Sequence, residues 1–149
     1  MNSLILSTAT RFLAPVLLGF SILVLWRGHN DPGGGFIGGL IAATAVALVE
    51  KAGGLERARR MLMVDPLTLS AIGLGCALVS AVWGAIAKGH VLAGVWPYLE
   101  VVDGKKEGLP IGSILLFDTG VYLVVVGGVC GMLFALEAAA GEPAETRED

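Results

Sequence analysis

Four long apolar runs, separated by short polar stretches, leave few folds open to this sequence. A helix needs about 20 mostly apolar residues to cross a hydrocarbon core of about 30 Å. The runs cover approximately Leu6–Trp26, Gly35–Ala52, Pro66–Ala87 and Ile111–Ala138. Inside lipid no water satisfies backbone amides and carbonyls, so such runs must be helical. The expected fold is therefore an all-α integral membrane protein with four transmembrane helices. It forms one domain over residues 1–140, followed by a mobile acidic tail over 141–149. Composition agrees: 15% of residues are charged, against about 25% in soluble domains. The formal net charge of -3 gives no footing for nucleic-acid binding.

Local signals mark the ends of the runs. Asp65-Pro66 reads as an N-cap followed by a proline at the first helical position. Pro110 precedes the last run. Arg11 lies near the start of the first, where a long side chain can reach the headgroups. The first run is too long, and followed by too many others, to be a cleaved signal peptide. Between the third and fourth runs, "YLEVVDGKKEG" alternates apolar residues around Asp103-Gly104, predicting a short surface hairpin or turn. Trp96 and Tyr98 suit an aromatic belt there. Four spans put both termini on one side. With the termini cytoplasmic, Arg11, Lys51, Arg57, Arg59, Arg60 and Arg147 lie inside, and Arg27, Lys88, Lys105 and Lys106 outside. The excess of positive charge favours that orientation.

Chemistry is sparse. Cys76 and Cys130 lie in separate apolar stretches with no CxxC and no histidine cluster, so they read as small hydrophobes and no metal or cofactor is expected. Neither a nucleophile–base pair nor a phosphate loop is present, which argues against an enzyme. The stretch "GHNDPGGGFIGGL" at 28–40 contains Gly33, Gly35 and Gly38 in GxGxxG spacing. A transmembrane run precedes it rather than a strand, so the dinucleotide reading is rejected. Asp31-Pro32 and the glycines instead describe a tight turn entering the second helix. Gly34 with Gly38, and Gly35 with Gly39, sit four apart and permit close helix approach. The alternative is a wet cavity where exposed backbone and His29 meet an ion or water. Gly127 and Gly131 make a second such pair on the fourth helix, which also carries Gly120 and Gly128.

Asp118 is the sharpest single residue. A carboxylate within a span costs about 2.5–3.5 kcal/mol on insertion scales, so it should face protein or water. Tyr122, one turn on, can donate to it, and Thr119 adds an oxygen. These residues read either as stations of an ion pathway or as hydrogen bonds that hold an assembly together.

Two stretches carry a family resemblance. "GHNDPGGGFIGGL" at 28–40 and "LFDTGVYLVVVG" at 116–127 resemble the signature segments of the MrpB/MnhB family, the B-type components of Mrp-type (Mnh, Pha) multisubunit cation/proton antiporters. The resemblance covers the chain except its acidic tail. It implies a membrane complex with further components of A, C, D, E, F and G type that exchanges Na+ for H+ across the cell membrane of a prokaryote and supports pH and sodium homeostasis. The family's turn and acidic residue carry over to His29, Pro32, Gly33, Gly34, Gly35, Phe36 and Asp118. Two alternatives remain: a purely structural member of that complex, or the equivalent component of a redox-driven pump such as a membrane-bound hydrogenase.

Overall fold

The structure is a computed structural model that describes residues 4–28, 33–91, 94–95, 99–102, 105–108 and 112–141. His29, Pro32, Trp96, Tyr98 and the tail over 142–149 lie outside these residues. Four helices are long and apolar enough to span a membrane: α1 (Leu4–Arg27), α2 (Gly34–Gly53), α4 (Pro66–Lys88) and α5 (Ser113–Gly141). The remaining elements are a short helix, α3 (Leu55–Leu62), and a two-stranded hairpin, β1 (Leu99–Val102) and β2 (Lys105–Gly108). The strands pair antiparallel, with Val102 opposite Lys105 across positions 103 and 104.

The helix starts follow from local chemistry. Asp65 caps α4, its carboxylate accepting from the amides of Leu67 at 3.1 Å and Thr68 at 3.3 Å. Gly33 opens α2 at φ 96°, a backbone angle that favours glycine. The helix α3 occupies part of the basic connection between the second and third spans. Its charges suggest a loop, yet Leu55, Ala58 and Leu62 recur on one helical face. Ala58 is fully buried, and the Arg59 guanidinium lies 5.9 Å from the centre of the Phe134 ring.

The helices form an open row in the order α1, α2, α5, α4. α1 runs antiparallel to α2, and α4 antiparallel to α5. α2 and α5 run parallel: Gly35 abuts Asp118 at one end, and Lys51 pairs with Glu137 at the other. The row has a centre and two flanks. Half of the apolar stretch of α2 is buried, against 17% for α1. The core is small, built from Ala42, Ala43, Val46, Ala58, Val126, Cys130 and Phe134. Large apolar side chains such as Phe12, Leu23, Leu78 and Ile86 point outward, as expected where lipid or another membrane protein replaces water.

Small residues let the row close tightly. A methyl group built on Gly73 would lie 2.6 Å from the carbonyl oxygen of Gly120, and one on Gly120 would lie 2.6 Å from that of Gly73. The α4–α5 crossing is thus backbone against backbone. Gly127 continues it against Pro66 and Ser70, whereas Gly131 meets Pro66 only at ordinary contact distance, 3.4 Å.

Candidate functional site

Asp118 lies where α1, α2 and α5 converge. α5 begins at Ser113, so the carboxylate sits about 7.5 Å into the helix, nearer the membrane edge than a start at Pro110 would put it. Its side chain is half-buried. A methyl group on Gly28 would come within 2.7 Å of Asp118 Oδ2, and one on Gly35 would collide with the Asp118 backbone. Gly28, Gly34 and Gly35 are all buried. Absent side chains at the α1–α2 turn therefore make the room that the acid fills. The positive end of the α2 dipole lies beside it, which favours a negative charge there.

The other predicted site residues separate into distinct roles. Thr119 turns its hydroxyl back to the carbonyl of Leu115 at 2.8 Å. Tyr122 lies 3.1 Å from Ser21 Oγ; Ser21 itself donates to Leu18 O at 2.7 Å, so the tyrosine is the donor. The expected Tyr122–Asp118 bond gives way to a link between α5 and α1 across the face of Gly38, where a methyl group would lie 2.8 Å from Ser21 O and 3.3 Å from Tyr122 Cδ2. Gly39 presents the same closeness to Val125 Cβ at 2.8 Å and Tyr122 O at 3.0 Å. Phe36 points outward, 52% exposed. Tyr122→Phe removes one interhelical hydrogen bond, and the expected loss of stability is about 0.6 kcal/mol, the average for such bonds in membranes. Thermal unfolding of the purified protein reads it.

The contacts between helices bring out a second carboxylate. Glu50 lies near the end of α2 and looks in sequence like an interfacial residue, but only 2% of it is exposed. Its Oε1 receives Lys51 Nζ at 3.2 Å, while Lys51 Nζ also reaches Glu137 Oε2 at 2.9 Å. Glu50 Oε2 is buried with no hydrogen-bond partner. An unpartnered buried carboxylate oxygen is costly, so this group stands out from an ordinary surface ion pair. Gly35 and Glu50 are fifteen residues apart on α2, about 22 Å along the axis. The seam between α2 and α5 thus has an acid at each end, with the Ser21–Tyr122 pair between them. Only contact across helices reveals Glu50; no local motif announces it. Among the described residues no three His, Cys, Asp or Glu side chains group as metal ligands.

The chain is similar to proteins of one known family. A family model described as a domain related to the MnhB subunit of Na+/H+ antiporter matches residues 5–131. A Bacillus subtilis protein, named as the B component of a Na+/H+ antiporter, is 37% identical over 127 residues, 85% of this chain and 87% of the relative. The protein of the same name from Alkalihalophilus pseudofirmus is 33% identical over 127 residues, 85% of this chain and 86% of the relative. A Staphylococcus haemolyticus protein named as the antiporter component mnhB2 is 32% identical over 136 residues, 91% of this chain and 94% of the relative.

Proposed function

Because this chain belongs to the MnhB family, a domain related to the MnhB subunit of Na+/H+ antiporter, we propose that it serves as the B-type membrane component of a multisubunit antiporter that exchanges Na+ for H+. The family match across residues 5–131 carries the reading. The physics of the fold supports it. An ion or proton crossing about 30 Å of hydrocarbon needs several polar stations. Among the described residues the α2–α5 seam offers carboxylates near its two ends and a single Ser–Tyr pair between, on a row of helices whose flanks remain open. Such a chain contributes part of a route whose remaining stations belong to neighbours. Those neighbours are components of A, C, D, E, F and G type, in the cell membrane of a prokaryote.

In this reading both termini face the cytoplasm. Asp118 then stands toward the outer surface, and Glu50 with Lys51 and Glu137 toward the inner one. Gly33, Gly34 and Gly35 open α2 beside Asp118, and His29 and Pro32 precede them in the sequence. Hard cations prefer oxygen ligands, and Asp118 supplies some of them, with neighbouring chains completing the set. Glu50→Gln keeps the side chain's shape and its reach to Lys51 but removes an ionisable group. It is expected to slow Na+-dependent antiport several-fold in membrane vesicles while leaving assembly intact.

The partner claim has a direct test. A tag on this chain, expressed with its neighbouring genes and extracted in mild detergent, should co-purify the large antiporter-like components in fixed proportion. Recovery of the chain alone, from membranes that contain those components, contradicts the reading.

A further inference from the structure

We propose that the end of the row nearest the chain termini carries a binding site for an anionic phospholipid, seated between α1, α2 and α3. A cleft of about 380 Å³ opens there. Its polar rim is formed by Arg11 from α1 and by Arg57 and Arg60 from α3, and its apolar wall includes Leu18 and Met61. All three arginines are exposed, and none forms an ion pair with a carboxylate among the described residues. Thr10, also lining the cleft, is only 6% exposed, yet its hydroxyl oxygen is buried without a hydrogen-bond partner. Among the described residues, the cleft therefore joins a hydroxyl without a hydrogen-bond partner to three guanidiniums that form no ion pair.

Those features match one ligand chemistry. Guanidinium groups bind phosphate through paired N–H donors. The apolar wall continues toward the membrane interior along Ala14 and Leu18, one helical turn apart on α1, which suits an acyl chain rather than a free ion. α3 is short, with charges on one side and Leu55, Ala58 and Leu62 on the other, a pattern that lies along a membrane interface. Basic pockets between spans at that height favour lipid headgroups with net negative charge.

The inference rests on the membrane-spanning fold and not on the ion route, so a binding measurement separates the two. The purified full chain in neutral maltoside is titrated with phosphatidylglycerol, with phosphatidylcholine of the same acyl chains, and with inorganic phosphate, and its unfolding midpoint is followed. Phosphatidylglycerol should raise the midpoint saturably, and the other two should not. Arg57→Gln with Arg60→Gln should weaken the response at least about tenfold. Arg57→Lys with Arg60→Lys, which keeps the charge but loses the paired donors, should weaken it less than the glutamine pair does, and Lys88→Gln at the opposite end should leave it unchanged. Equal response to both lipids, or an unchanged response in the double glutamine variant, overturns the proposal. An equal rise with inorganic phosphate alone overturns the lipid as the ligand.

Discussion

Asp118→Asn in the assembled complex is expected to lower Na+-dependent antiport about a hundredfold, the lower range for losing a positioned proton-transfer group, with the composition of the complex unchanged. Asparagine has nearly the same shape, so the tight fit against Gly28 and Gly35 survives. What is lost is negative charge and the capacity to take up a proton. Gly28→Ala attacks the same point from the other side: it keeps the acid but sets a methyl group 2.7 Å from its Oδ2. That variant should slow transport as well, because the carboxylate and the Gly34 backbone, whose Cα is also 2.7 Å from the methyl group, have to shift. If Asp118 served only to glue helices or neighbouring chains together, the asparagine, which still accepts and donates hydrogen bonds, would transport normally or would fail to assemble. Transport in everted vesicles, measured beside an immunoblot of the complex, separates the two roles.

Gly120→Val is expected to destabilise the protein by about 1–3 kcal/mol, the usual cost of overpacking a close contact. The atoms in the way are the carbonyl oxygen of Gly73 at 2.6 Å and the backbone nitrogen of Ala77 at 2.7 Å. Neither can swing aside as a flexible side chain would, so α4 and α5 have to separate along their length. Gly73→Val should cost a similar amount. Gly128→Ala provides the contrast, since nothing lies within 4 Å of the added methyl group and alanine favours a helix. Its stability should match or slightly exceed that of the parent. Thermal unfolding in detergent compares all three, and equal midpoints for Gly120→Val and Gly128→Ala would remove the tight α4–α5 crossing from the account.

The membrane spans were legible because hydrocarbon imposes length and apolarity together, and each structural helix lies close to its apolar run. The cap at Asp65 was legible for a similar reason, since it depends on neighbouring residues alone. What lies between helices was harder to read. Gly73 carries no GxxxG partner of its own, and only its apposition to Gly120 marks it. The helix α3 lies in the short basic stretch between the second and third apolar runs, where its apolar positions repeat at helical spacing over only eight residues. Asp118 was found from its charge within an apolar run. Its partners, Gly28 and Gly35, and its shallower depth depend on how α1 and α2 turn and on α5 starting at Ser113. Glu50 shows the limit most clearly: position near a helix end suggests exposure, and burial by α2's neighbours reverses it. Tyr122 follows Asp118 by one helical turn, but its hydroxyl bonds Ser21, which is distant in sequence.

The central claim is that this chain is a working part of a Na+/H+ antiporter. It is tested most directly by removing the chain from its host and measuring Na+-driven proton movement in vesicles. Antiport should disappear, return with the intact chain, and fail to return with Asp118→Asn present at equal abundance in the complex. Normal antiport in vesicles lacking the chain would contradict it.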